Sequence, residues 1–174
     1  MDISPNQNPV FITGDEPVFP NNAVAVIQRH ALTQLPIADA YMRPLRSTDP
    51  DQAFFVFPDV WRPNDDSYEI GNDGFPTLER YTIAIQTLIL DADEGRGGAR
   101  HAALSELVRT MIYSNKALRV ELRGLRTSLA GMNKSVQRIV VNSQKYYANS
   151  GGGQFAFASQ MELMLEVSVT STAR

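Results

Sequence analysis

The sequence predicts an α+β domain: a mostly antiparallel sheet with helices packed on one face and a long C-terminal β-hairpin. Three observations carry this. From Phe155 to Val169, the residues Phe155, Phe157, Met161, Leu163, Leu165, Val167 and Val169 fall on one side of a strand, and Gln160, Glu162, Glu166, Ser168 and Thr170 on the other. Side chains alternate with a period of two along a strand, so this segment has one buried face and one wet or partner-facing face. Val136 to Tyr147 reads as a second strand, joined to the first through the turn Ser150-Gly151-Gly152-Gly153. Finally, Leu104, Leu107, Val108, Met111 and Ile112 recur at helical spacing and form one apolar stripe that must pack on a sheet.

The elements follow in order. The chain opens with Pro, Asn and Asp around one apolar island, Val10-Phe11-Ile12, the composition of an extended N-terminal arm over residues 1–20. Residues 21–174 make a single domain. Its first helix begins at Asn21 or Asn22, both good N-caps, carries Val24, Ile27, Ala31, Leu32 and Leu35 on one face, and stops at Pro36. A further helical turn is expected within Ala38 to Leu45. Ala53-Phe54-Phe55-Val56-Phe57 is a short apolar strand closed by Pro58. Residues 61–77 contain Pro63-Asn64-Asp65-Asp66 and Gly71-Asn72-Asp73-Gly74 and read as one long loop. Tyr81 to Leu90 is a strand with Tyr81, Ile83, Ile85 and Ile89 on one face. Asp91 to Gly98 reads as a loop, followed by a helix from about Ala99 to Tyr113. Over 114–135, Leu118, Val120, Leu122 and Leu125 suggest a short strand or a turn of helix, then a basic loop around Gly131. Elements in this grouping make an α+β domain.

A chain of 174 residues is long enough to bury a core of its own. It has no cysteine, which excludes disulfides, thiolate nucleophiles and Cys-based zinc sites. It has no run of 18 apolar residues, and Met1-Asp2-Ile3-Ser4-Pro5 lacks the basic and apolar regions of a signal peptide. A soluble, non-secreted chain is therefore expected, and the glycosylation triplet Asn133-Lys134-Ser135 carries no weight. The net charge of −3 hides an asymmetry: residues 1–94 hold 15 acids and 5 bases, residues 95–174 hold 4 acids and 11 bases. Such blocks either neutralise each other within the fold or leave opposite faces that favour head-to-tail association.

Candidate chemistry is sparse. Gly95-Arg96-Gly97-Gly98 lies between a strand and a helix, where phosphate loops lie, with Arg100 nearby. The dinucleotide pattern needs Gly or Ala where Arg100 stands, and there is no Gly-Lys-Ser/Thr. Asp91, Asp93 and Glu94 resemble the start of a calcium loop, but Arg96 occupies its required glycine position. His30 and His101 are the only histidines, each on a predicted helix without a metal-ligand partner, and read as surface residues. No catalytic residue, cofactor or metal is expected. Arg119, Arg123, Arg126, Lys134 and Arg138 form a basic stretch with no interleaved aromatic residues, and the pI near 5.4 argues against a dedicated DNA-binding domain. Tyr146, Tyr147 and Met164 are candidate interface residues.

Over residues 22–170 the layout resembles the tail terminator proteins of long, non-contractile-tailed bacteriophages. The resemblance lies in the N-terminal helix, the strand Tyr81-Thr82-Ile83-Ala84-Ile85-Gln86, the helix Ala102-Ala103-Leu104-Ser105-Glu106-Leu107-Val108, the segment Val136-Gln137-Arg138-Ile139-Val140-Val141, and the closing strand through Met161-Glu162-Leu163-Met164-Leu165-Glu166-Val167. These are patterns of type and order, not an invariant motif. The resemblance implies a non-enzymatic virion protein at the head–tail interface, assembled in the host cytoplasm. It implies a ring, usually of six copies, on the head-proximal end of the tail tube, which stops tube polymerisation and meets the head-side connector. Genomic DNA passes through the hole without sequence-specific binding, and no membrane is involved. Arg119, Arg123, Arg126 and Arg138 are then candidates for contact with the next subunit. Phe11 in the arm and Asp65, Asp66 and Tyr68 in the 61–77 loop are candidates for contact with tube or connector. The competing expectations are another neck or tail protein, a connector or tube subunit, and a small nucleotide-binding domain using residues 95–100.

Overall fold

A computed structural model describes residues 18–59, 68–70, 76–129 and 131–171. Three helices, α1 (Asn21–Gln34), α2 (Glu94–Ser114) and α3 (Lys116–Gly124), pack on a seven-stranded sheet. The strands are β1 (Asp39–Tyr41), β2 (Ala53–Pro58), β3 (Tyr68–Ile70), β4 (Pro76–Asp91), β5 (Arg126–Leu129), β6 (Met132–Gly151) and β7 (Gln154–Ser171). They run in the order β1-β2-β4-β7-β6-β5, with β3 also paired to β4. Only β1 and β2 are parallel. This is the expected α+β fold with its C-terminal hairpin.

The hairpin follows from turn chemistry. Gly151 pairs with Gln154, so the loop is two residues, Gly152 and Gly153, both at positive φ (61° and 80°). That is the twist-matched geometry of a tight hairpin, which glycine adopts without penalty. Opposite the tip, β7 lies on β4 from Ser168↔Leu78 to Phe155↔Asp91. On β6 the register shifts at Gln137 and again at Asn142. Val136, Ile139, Val141, Gln144 and Tyr146 therefore share the helix side of the sheet, although their spacing is not two throughout.

The helix-side core gathers Ile83, Ile85 and Ile89 of β4 and Met161, Leu163, Leu165 and Val167 of β7 beneath Val24, Ile27, Leu104, Val108, Leu118 and Leu122. Each such side chain contributes about 1.5–3 kcal/mol on burial. A second, smaller cluster lies on the far face of the sheet, around Phe55, Phe57, Ala84 and Leu88, with Tyr41 and Leu45 against it. Phe19 is buried and stacks on Tyr81 at 5.9 Å between ring centroids, so the last residues assigned to the arm are already tied to the domain.

Several expectations need correction. α2 begins at Glu94, so Gly95-Arg96-Gly97-Gly98 is its first turn and not a loop. The cap decides this: the Asp93 carboxylate accepts from the Arg96 backbone N–H at 2.7 Å, which offsets the poor helix propensity of three glycines. Ala38 to Leu45 holds no helical turn, because Asp39–Tyr41 pairs in parallel with Ala53–Phe55. Residues 116–124 are a full helix, capped by Asn115. Leu32 and Leu107, placed on apolar stripes, are 51% and 43% exposed. The 61–77 segment is not wholly loop, since β3 lies within it and β4 starts at Pro76.

Candidate functional site

The start of α2 is a closed ionic cluster. Asp91 ends β4, and its carboxylate is out of solvent. Arg96 Nε donates to both Asp91 oxygens at 3.0 Å, and Arg100 donates to Oδ2 at 3.0 Å. Arg100 also reaches Asp51 at 2.7 Å and Gln52 Oε1 at 3.0 Å. The hydrogen bonds from Arg96 above all, with the Asp93 backbone N–H, hold the Asp91 carboxyl well below the usual carboxylate range. Two of the N–H donors a phosphate would use are engaged: Asp93 takes the Arg96 N–H through its side chain and the Gly97 N–H through its carbonyl at 2.9 Å. A Cβ on Gly97 would sit 2.6 Å from the Phe157 ring and 2.9 Å from Asp91 Cβ. Close packing, not ligand approach, accounts for that glycine.

His101 is buried, contrary to the surface expectation. Its ring stacks on Phe157 at 6.2 Å and meets the Tyr146 edge at 5.9 Å. Ser105 Oγ lies 3.5 Å from His101 Nε2 and 3.4 Å from Ser159 Oγ, which in turn is 2.6 Å from Thr87 Oγ1. This chain of small polar groups joins α2 to β7 and β4. Burial lowers the His101 pKa. A signal for its position was present: residues 101, 104, 108 and 111 recur at helical spacing, and Leu104, Val108 and Met111 are all buried.

A second buried cluster spans β7, from β4 to the start of β6. Lys134, counted in the basic stretch, turns inward and donates to Glu79 Oε2 at 2.5 Å and to the Tyr81 hydroxyl at 3.0 Å. The Tyr81 hydroxyl donates to Glu79. Burial, with Glu79 beside it, pushes the Tyr81 pKa up to about 12. Burial alone would lower the Lys134 pKa, but its bonds to Glu79 and Tyr81 outweigh this and raise it.

The four predicted interface arginines divide between two places. Arg119 and Arg123 lie one turn apart on α3, both exposed, and among the described residues neither side chain has a hydrogen-bond or ion-pair partner. Val120 stands between them, 62% exposed. The opposite face of α3 buries Leu118 and Leu122, and its one acid, Glu121, is held by Arg29 and, at 2.9 Å, by His30 of α1. Arg126 follows directly, folded back on the carbonyls of Arg123 and Leu125 at 2.7 Å. Arg138 is elsewhere, opposite Glu166 on the far face of the sheet at 4.0 Å. Phe11, Asp65 and Asp66 lie outside the described residues, and of Tyr68 only its place in β3 is described.

The far face carries a feature the sequence did not single out. Beyond the small cluster of Phe55 and Leu88, a groove of about 500 Å³ opens toward the hairpin tip. Ala156 and Ala158 make its low floor, Leu88 and Leu90 one flank, Tyr147 the other, and Leu45 with Arg46 the end wall. Tyr147 is 53% exposed on this face, while Tyr146 points to the helix side and holds Arg109 at 2.9 Å. Met164 is half-buried. Among the described residues, no helix is long and apolar enough to cross a membrane. No protein-family model matches the chain, and a search of curated proteins finds no match.

Proposed function

We propose that the chain is a structural virion protein that assembles as a ring capping the head-proximal end of a phage tail tube, where it stops polymerisation and joins the tail to the head connector. The observation that carries this reading is the α3 surface: two exposed, unpaired arginines flanking an exposed valine. A ring needs two different, complementary surfaces on each subunit. At the α3 end, Lys116, Arg119, Arg123 and Arg126 stand against one acid, Glu121. At the other end of α2, about 31 Å away by its 21 residues, Asp93 and Glu94 are exposed acids beside the closed Asp51–Asp91–Arg96–Arg100 cluster. Opposite charge at opposite ends supports head-to-tail contact. The resemblance in element order to tail terminators supports the specific role.

The test is negative-stain electron microscopy of the purified chain, alone and with the tail tubes of its virus. Rings that sit on tube ends without further growth are expected. Long cylinders from the chain alone would make it a tube subunit, and monomers that ignore the tubes would overturn the reading. Reversal of Arg119, Arg123 and Arg126 to Glu should weaken assembly and its salt resistance; unchanged assembly would reject α3 as the contact.

A further inference from the structure

We propose that the outer edge of β6 over residues 143–150 pairs with the same edge of a second copy, antiparallel about a two-fold axis at Tyr146. β7 lines one side of β6 along its whole length, but β5 lines the other only from Met132↔Leu129 to Ser135↔Arg126. Beyond Ser135, no strand among the described residues pairs with that outer side. Its backbone N–H and C=O groups are a template for a further strand. The lower half of the edge is guarded by the shifts at Gln137 and Asn142 and by exposed Arg138, features that block edge pairing. The upper half lacks such shifts. Residues 143–150 pair with β7 without interruption, hold no proline and no acid, and carry one base, Lys145. Lys145, Tyr146, Tyr147, Ala148 and Asn149 are all exposed.

The hydrogen-bond phase of the hairpin fixes which groups face outward. Gly151 and Gln154 close the two-residue turn as a bonded pair, and bonded and non-bonded pairs alternate down the ribbon. Lys145, Tyr147 and Asn149 therefore turn their backbone groups to β7, while Gln144, Tyr146, Ala148 and Ser150 turn theirs out. With the axis at Tyr146, Gln144 meets Ala148 of the second copy and Tyr146 meets its own counterpart, so outward groups face outward groups and each pair exchanges both bonds. Between them, Lys145 lies opposite Tyr147 of the second copy on the far face, and the reverse, which sets an ammonium beside a tyrosine ring on each side of the axis. An axis at Lys145 would set like charges opposite each other, and one at Tyr147 would leave Lys145 opposite Asn149. The lysine, which deters pairing in other registers, thus selects this one. On the helix side the two Tyr146 rings come together, and the Arg109 held by each is paired with Glu106. β5 does not obstruct, because Met132 to Ser135 lie past the tip of the second copy in this register. An isologous contact closes at two copies, so this pairing is separate from the head-to-tail contact of a ring and does not rest on the role in a tail.

The chain has no cysteine, so one substitution reports the axis. Tyr146→Cys faces itself at the Cα spacing of a bonded pair, about 5.5 Å, which a disulfide can span. Mild oxidation of the full chain should give a covalent dimer and no larger species. Its yield should exceed about tenfold that of Asn149→Cys, an exposed control whose counterpart lies about 20 Å away in this register. Ala148→Pro removes an outward N–H and no bond to β7, so the fold and Tm should hold while the dissociation constant from sedimentation rises about tenfold. Equal cross-linking at the two cysteine positions, self-association indifferent to Ala148→Pro in a folded chain, or a chain that stays monomeric overturns the proposal. Rings on tube ends without the Tyr146→Cys cross-link reject the edge contact and leave the terminator reading intact; cross-linked pairs without tube capping do the reverse.

Discussion

Gly97 is the position where packing and helix propensity oppose each other most sharply, so Gly97→Ala tests the account of the α2 start. Propensity alone favours alanine by about 1 kcal/mol in a helix. Against this, the new Cβ would lie 2.6 Å from the Phe157 ring and 2.9 Å from Asp91 Cβ. Neither neighbour gives way easily. The Phe157 ring is stacked with His101, and Asp91 is pinned by Arg96 and Arg100. Overpacking of this kind costs about 1–3 kcal/mol, so after the propensity gain a net loss of up to about 2 kcal/mol is expected. For a domain of this size that lowers Tm by up to about 8 °C. Gly98→Ala is the internal control: its Cβ would meet Phe157 at 3.8 Å, ordinary contact, and propensity should raise stability by about 0.5–1 kcal/mol. Urea and thermal unfolding of both variants read the difference. A Gly97→Ala protein as stable as Gly98→Ala would refute the packing reason for this glycine.

Asp91→Asn should lower Tm and flatten the acid limb of the stability profile. The wild-type carboxylate is depressed in the fold, so its contribution is full above the ordinary carboxylate pKa near 4 and is lost as pH falls below it; unfolding curves at pH 6 and pH 3 that shift equally in both proteins would contradict this. Buried His101 has the same sign: its folded pKa lies below its unfolded value near 6.5, so stability should fall as pH drops from 7 toward 5, and His101→Phe should remove that slope. Leu122→Ala should cost about 2–5 kcal/mol in urea unfolding, because the side chain is fully buried under α3. Val120→Asp, at an exposed position on the same helix, should change stability by less than about 0.5 kcal/mol while weakening assembly measured by sedimentation.

What was legible in the sequence was what repeats. The alternation in Phe155–Val169 gave the buried face of β7, and the spacing in Ala53–Phe57 and Tyr81–Leu90 gave β2 and the centre of β4. What was missed depended on single interactions across long sequence distances. β1 is a strand only because Ala53–Phe55 lies beside it, and its own three residues carry no pattern. The α2 start was hidden by glycines, although Asp93 with Arg96 held the cap. For the candidate site, the basic run over 119–126 was visible, but not that Lys134 would be consumed by Glu79 and Tyr81, or that Arg138 would face away. The groove is formed by three separated segments, around residues 45, 89 and 150, so no local pattern announces it.

The two register shifts in β6 set a rule for how this ribbon tolerates change in length. Between Val136 and Tyr146 they cancel in parity, so the tip presents Tyr146 to the helices and Tyr147 to the far face. Deletion of Gln137 or Asn142, the unpaired residue at each shift, would keep every pair and only straighten the ribbon, whereas deletion of a paired residue such as Val140 would reverse every side chain from there to the tip and turn the groove wall inside out. Insertions beyond Tyr147 that add two residues to each strand would preserve both faces and advance the tip by about 7 Å per step. Across variants of this chain, hairpin length should therefore change in even increments, and the ribbon becomes a ruler whose reach can be adjusted without redesigning the domain beneath it.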